Sequence, residues 1–126
     1  MISVKGPINT GVAAGGAGVA TNSATTNSKV SGKIIGLYVR YNDSPPAGTT
    51  DLTVKTAGNN TPAYNVWKAA NAATDGYFAI RQATVSPANA ANTNDYEALA
   101  VDDNITVLIE GANNGDSADV WLFIEN

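Results

Sequence analysis

Apolar and polar positions alternate with a period of two through most of this chain, and no stretch sustains the 3.6-residue repeat of an amphipathic helix. The pattern is clearest over the last 23 residues. There Ile105, Val107 and Ile109 alternate with Thr106, Leu108 and Glu110, and Val120, Leu122 and Ile124 alternate with Asp119, Trp121 and Phe123. Between the two runs stands Asn114-Gly115, a pair that tolerates the positive φ angles of a two-residue hairpin turn. The sequence therefore predicts a hairpin in which Ile109 faces Val120, Val107 faces Leu122 and Ile105 faces Ile124. A one-residue slip would send these aliphatics to the wrong side, so the pattern fixes the parity of the register. On the reverse face the same register sets Leu108 against Trp121 and Thr106 against Phe123, and Glu110 against Asp119.

Upstream, Lys33–Tyr41 predicts a strand with Ile35, Leu37, Val39 and Tyr41 on one face and Ile34, Gly36, Tyr38 and Arg40 on the other. Thr50–Thr56 predicts a short strand with Leu52 and Val54 inward, and Ala63–Ala69 another, with Tyr64 and Val66 opposite Trp67. Further strands are expected at Tyr77–Val85 and Tyr96–Val101. Asn42–Gly48, with Pro45 and Pro46 holding the chain extended, Gly58–Pro62 and Pro87–Asp95 read as turns and loops. The expected fold is all-β, an antiparallel β-sandwich of about eight strands, jelly-roll or Greek-key like. Residues 1–28 are set apart from the sandwich domain at 29–126 as an N-terminal arm or edge segment. They hold a short β-like piece, Ile2–Lys5, cut by Gly6-Pro7, then an uncharged run of Gly, Ala, Thr, Asn, Ser and Val.

Composition narrows the chemistry. The chain has 126 residues, enough for one domain with its own core, and neither cysteine nor histidine. That removes disulfides, thiol chemistry, the commonest metal ligand and the commonest acid–base catalyst near neutral pH. No enzyme and no cofactor are expected. The seven Lys and Arg are scattered singly in a chain of net charge −4, so nucleic acid is not an expected partner. No apolar run is long enough for a membrane span, and the start lacks the pattern of an export signal. Aspartates gather near turns without an EF-hand spacing, so no metal site is expected; the predicted Glu110–Asp119 pair alone keeps calcium in view. Paired carboxylates beside Trp67 or Trp121 would suit a glycosidase, a weaker class.

What remains is the two-faced strands. A sandwich strand with one wet face alternates apolar and polar, yet Tyr38, Trp121 and Phe123 stand where polar residues belong. Either a loop or the N-terminal segment folds over that face, or it is buried between subunits; aromatics and Arg are enriched in protein interfaces, so Tyr38, Arg40, Leu108, Trp121 and Phe123 are the candidate oligomer interface.

The run Gly32–Val54, with Asp75-Gly-Tyr-Phe78, Val101-Asp-Asp103, Gly115-Asp116 and Asp119-Val-Trp-Leu122, resembles small β-sandwich proteins that decorate, or cement, the capsids of tailed bacteriophages. The resemblance covers residues 30–126. It implies a structural virion protein without catalysis, a homotrimer on threefold positions of the capsid's outer surface, assembled in the host cytoplasm. It also implies that the major capsid protein is the partner and that Met1–Ser28 touches the shell, with Ile2, Val4, Lys5, Pro7 and Ile8 as capsid contacts. The alternative is a carbohydrate- or receptor-binding β-sandwich module with Trp67 or an exposed Tyr as sugar platform.

Overall fold

The computed structural model describes residues 1–42, 47–71, 74–80, 82–85, 91–97 and 99–126, with 82–85 and 91–97 described by backbone alone. Among the described residues eleven strands run in order: β1 (Ile2–Asn9), β2 (Ala20–Thr25), β3 (Val30–Tyr41), β4 (Asp51–Thr56), β5 (Asn65–Ala69), β6 (Gly76–Ala79), β7 (Gln82–Val85), β8 (Ala91–Glu97), β9 (Leu99–Asp103), β10 (Ile105–Ala112) and β11 (Ala118–Glu125). The first sheet has the order β1-β11-β3-β6, with β9 also beside β3; the second has the order β2-β10-β4-β5, and β7 pairs with β8. Every pairing is antiparallel. The expected all-β antiparallel sandwich is what forms, with the chain changing sheet at most steps, as in jelly rolls.

The core is the sum of the inward alternations. Ile34, Leu37 and Val39 of β3, Val120 and Leu122 of β11, Leu52 and Val54 of β4, and Ile105, Val107 and Ile109 of β10 are fully buried. Each such aliphatic contributes roughly 1.5–3 kcal/mol relative to exposure. β3 is long enough that its edge takes β6 along Gly36–Val39 and β9 along Val30–Ile34. A bulge between Phe123 and Ile124 shifts the β3 register, so Ile34 joins Leu37 and Val39 in the core and Ile35 is only half-buried, unlike the strict alternation expected from sequence.

The expected hairpin does not form. β10 lies between β2 and β4, and β11 between β1 and β3, in different sheets. Ile109 pairs with Asn22 and Leu52, and Val120 with Ile8 and Val39. The two aliphatic faces are buried as expected, but they belong to opposed sheets and not to one ladder. The reason is in residues 113–117, which cross the roughly 10 Å between sheets. The Asn113 N–H donates to the buried Asp116 carboxylate at 3.0 Å, Asp116 N–H to the Asn113 carbonyl at 3.1 Å, and Gly115 N–H to the Ala13 carbonyl at 2.9 Å. Gly115, at φ +96°, provides the left-handed turn that the Asn-Gly signal foretold, for a crossing and not for a hairpin.

Residues 1–28 supply one edge strand to each sheet, and Ile8, Ala13 and Ala20 join the core. Residues 91–95, expected as loop, are part of β8, and the expected strand Tyr96–Val101 is divided between β8 and β9. The turn with Pro45 and Pro46, and residues 87–90, lie outside the described residues.

Candidate interaction face

The outer face of the first sheet is built from cross-strand rows. Asn9, Asp119 and Arg40 form one; Trp121, Tyr38 and Tyr77 the next; Val4, Phe123, Gly36 and Ala79 the third; Ile2, Glu125, Lys33 and Ala100 the fourth. The aromatic rings interlock edge to face. Tyr38 meets Trp121 at 5.9 Å between centroids and 67°, and Tyr77 meets Phe123 at 5.4 Å and 76°. Such pairs contribute about 0.5–1.5 kcal/mol beyond area burial. Gly36 makes this possible: with no side chain there, the Tyr77 ring lies directly over the backbone of β3.

Arg40 holds the upper rim. Its guanidinium carbon stands 5.1 Å from the Trp121 ring centroid, and its Nη2 donates to Asp119 Oδ2 at 3.1 Å, while Asn9 Nδ2 donates to Asp119 Oδ1 at 2.8 Å. Ile2 and Val4 are each 58% exposed, Tyr77 is 54% and Tyr38 39%. The outer face of the second sheet is ordinary by contrast, with Ser23, Thr25, Thr106, Leu108, Thr53, Lys55 and Lys68 in its rows.

Of the five candidate interface residues, Tyr38, Arg40, Trp121 and Phe123 come together on this face. Leu108 does not: it belongs to β10, and stands between Ser23 and Thr53 on the far side of the sandwich. Of the candidate capsid contacts, Ile2 and Val4 share the aromatic face. Lys5 and Pro7 line a groove of about 560 Å³ between β1 and residues 24–28, where Lys5 Nζ donates to Ser28 Oγ at 3.2 Å. Ile8 is corrected: it pairs with Val120 and turns into the core, 8% exposed. Tyr77 was missed as an interface residue, although its parity opposite Phe78 was visible.

Two other sequence candidates fall elsewhere. Trp67 points inward and packs against Phe78 at 5.1 Å between centroids, closing one side of the sandwich, so it offers no open sugar platform. Glu110 and Asp119 are in different sheets; Glu110 lies opposite Asp51, and Asp119 is bound by Arg40 and Asn9. Among the described residues no cluster of three or more His, Cys, Asp or Glu is placed to hold a metal.

Asp103 is the most heavily bonded carboxylate among the described residues. Fully enclosed, it accepts the backbone N–H groups of Gly58 at 3.0 Å, Asn59 at 3.3 Å, Asn60 at 3.2 Å, Thr61 at 3.3 Å and Asn104 at 2.8 Å. Loss of solvent pushes its pKa up, but the backbone donors together outweigh that and hold it below the ordinary aspartate value. The group anchors the 58–61 turn to β9.

No family model and no curated protein matches this chain. Among solved structures it is similar to a mutant of a family 29 carbohydrate-binding module studied for ligand recognition, at TM-score 0.41 and 14% identity, over 90% of this chain and 67% of that one. A likeness that distant transfers neither a site nor a ligand.

Proposed function

We propose that this chain is a non-catalytic structural protein that decorates and stabilises a phage capsid, binding the major capsid protein lattice as a self-associated oligomer. The observation that carries the reading is the aromatic outer face of the first sheet. Trp, Tyr and Arg are the side chains most often found at the energetic centre of protein contacts. Here Trp121, Tyr38, Tyr77, Phe123, Val4 and Ile2 form a continuous band between two rims, Arg40 with Asp119 and Lys33 with Glu125. Each rim is neutral, one cation against one anion, so the two rims add nothing to the chain's net charge of −4. Copies of an anionic protein approach one another with least repulsion through such a face. The capsid as partner follows from the sequence resemblance.

The test has two arms. Sedimentation velocity of the purified chain is expected to give a trimer, and Trp121→Asp to lose that trimer with unchanged far-UV circular dichroism; an assembly unmoved by that charge would remove the face from the reading. Absence of the protein from purified virions would remove the capsid.

A second reading, sugar binding, is favoured by the same face, because Tyr77 and Tyr38 are exposed beside the hydrogen-bonding groups of Arg40, Asp119 and Asn9. It ranks second because the edge-to-face packing turns ring edges into neighbouring rings and leaves less open ring surface for a pyranose to stack on. A glycan array separates the two.

A further inference from the structure

β1 is the outermost strand of the first sheet, and its two halves differ. Between Lys5 and Ile8 its ladder to β11 is bulged, and Pro7 has no N–H to offer, two devices that stop a further strand from adding. The half Ile2–Lys5 is regular and has neither. Asn126 N–H donates to the Met1 carbonyl at 3.0 Å, which sets the phase of the antiparallel ladder. Met1, Ser3 and Lys5 exchange hydrogen bonds with β11 and its continuation, so Ile2 and Val4 turn their N–H and C=O groups to the free edge. These are also the residues that this half-strand exposes on the outer face.

We propose that this half-strand is a pairing edge for a second copy of the chain, antiparallel and two-fold about Ser3. In that register Ile2 exchanges hydrogen bonds with Val4 of the second copy, and Val4 with Ile2 of the second copy, using all the edge groups of both residues. Ser3 meets Ser3 on the inward side. The only charged side chain of the segment, Lys5, lies opposite Met1 of the second copy, so the two lysine ammonium groups are at opposite ends of the contact. On the outer face Ile2 and Val4 of both copies join, continuing the band of Phe123 and Tyr77 across the junction. The edge is complementary to itself, which is what commits it to a second copy instead of a foreign strand. This contact uses the edge and not Trp121, and stands apart from the capsid reading.

The chain has no cysteine, so a single introduced thiol has only an intermolecular partner. At a two-fold Ser3 the facing Cα atoms lie about 4.5 Å apart, within disulfide range. Ser3→Cys is expected to form, under mild oxidation, a disulfide dimer of twice 12.9 kDa at least about tenfold faster than Glu110→Cys on the second sheet's outer face. Adding Trp121→Asp to Ser3→Cys leaves that rate unchanged. Adding Val4→Pro, which removes an N–H turned away from β11, abolishes it with the thermal midpoint checked; Ile2→Lys serves should the proline variant not fold. Crosslinking of Ser3→Cys no faster than Glu110→Cys, or crosslinking that survives in a folded Val4→Pro or Ile2→Lys variant, overturns the proposal.

Discussion

Gly36→Ala tests whether the aromatic face is positioned as described. Gly36 lies inside the central strand β3 without a left-handed φ, so its backbone accepts alanine. The added Cβ would instead stand 2.7 Å from Tyr77 Cε2, nearer than real Cβ contacts come, and the ring must leave. Leaving breaks the edge-to-face pair with Phe123, about 1 kcal/mol. It also uncovers on the order of 50 Å² of apolar surface, about 1.25 kcal/mol at roughly 25 cal/mol/Å². Against this, replacing glycine restricts the unfolded chain and returns about 0.7 kcal/mol. The expected net loss is about 1.5 kcal/mol in the wild-type background. With Tyr77→Ala already present there is no ring to displace, and Gly36→Ala should stabilise by about 0.7 kcal/mol, giving a coupling of about 2 kcal/mol. Urea unfolding of the four proteins, followed by far-UV circular dichroism at one low concentration, measures the cycle. Equal losses in both backgrounds would show that the glycine serves the backbone and that Tyr77 does not lie over it.

Leu122→Ala should cost about 2–5 kcal/mol and Phe123→Ala about half as much or less in chemical unfolding, because the first faces the sealed core and the second the outside. Asp103 is held below the ordinary aspartate value, so its contribution is full above that value and is lost as pH falls through the lowered one. Thermal midpoints recorded from pH 7 down to about pH 2 should show this decline in the wild type; Asp103→Asn should start lower at neutral pH and decline less. Tyr41 is buried, its hydroxyl has no partner among the described residues, and burial first and the Asp75 carboxylate second push its pKa up to about 12. Its stabilising effect is full below the unfolded value of about 10 and is lost as pH rises from there to about 12. Tyr41→Phe should abolish that alkaline loss, read by unfolding across this window, and should stabilise by about 1 kcal/mol at pH 7, since no hydrogen bond is given up.

The inward and outward alternation was legible because it is a property of each strand alone. Alternation alone puts Ile105, Val107, Ile109, Val120, Leu122 and Ile124 on the aliphatic faces of their strands, and all six are buried. Which strands pair is a relation between segments, and alternation does not encode it: two aliphatic faces are buried alike whether their strands share a ladder or face each other across a core. That single ambiguity displaced Leu108 from the candidate face and set Glu110 against the wrong carboxylate. Tyr38, Arg40, Trp121 and Phe123 share one face because they sit on β3 and β11, which do pair, Trp121 opposite Tyr38 and Asp119 opposite Arg40. Tyr77 needed a tertiary fact, the ring resting on Gly36, that no local pattern contains.

The uncharged, small-residue run near the N-terminus gains its meaning at the same place where the hairpin failed. Two sheet-crossing connections, 10–19 after β1 and 113–117 before β11, lie against each other at one end of the sandwich. Thr10 N–H donates to the Ala118 carbonyl at 3.0 Å and Ala118 N–H to Thr10 Oγ1 at 3.1 Å; Ala13 N–H donates to the Asp116 carbonyl at 2.7 Å, and the Ala13 carbonyl accepts the Gly115 N–H at 2.9 Å. Backbones bonded so closely leave room for little more than a methyl group, and Ala13, Ala20, Ala112 and Ala118 are all at most 1% exposed. Small side chains there are a packing requirement as strict as any large aliphatic in the core. The same bonds supply the partners that Asn113–Ser117 would have found in a hairpin, so the Asn-Gly turn was free to cross between sheets. That crossing places the aromatic side of β11 on an outer face shared with β3 and β1, where Trp121, Tyr38 and Phe123 meet Val4 and Ile2 instead of Leu108.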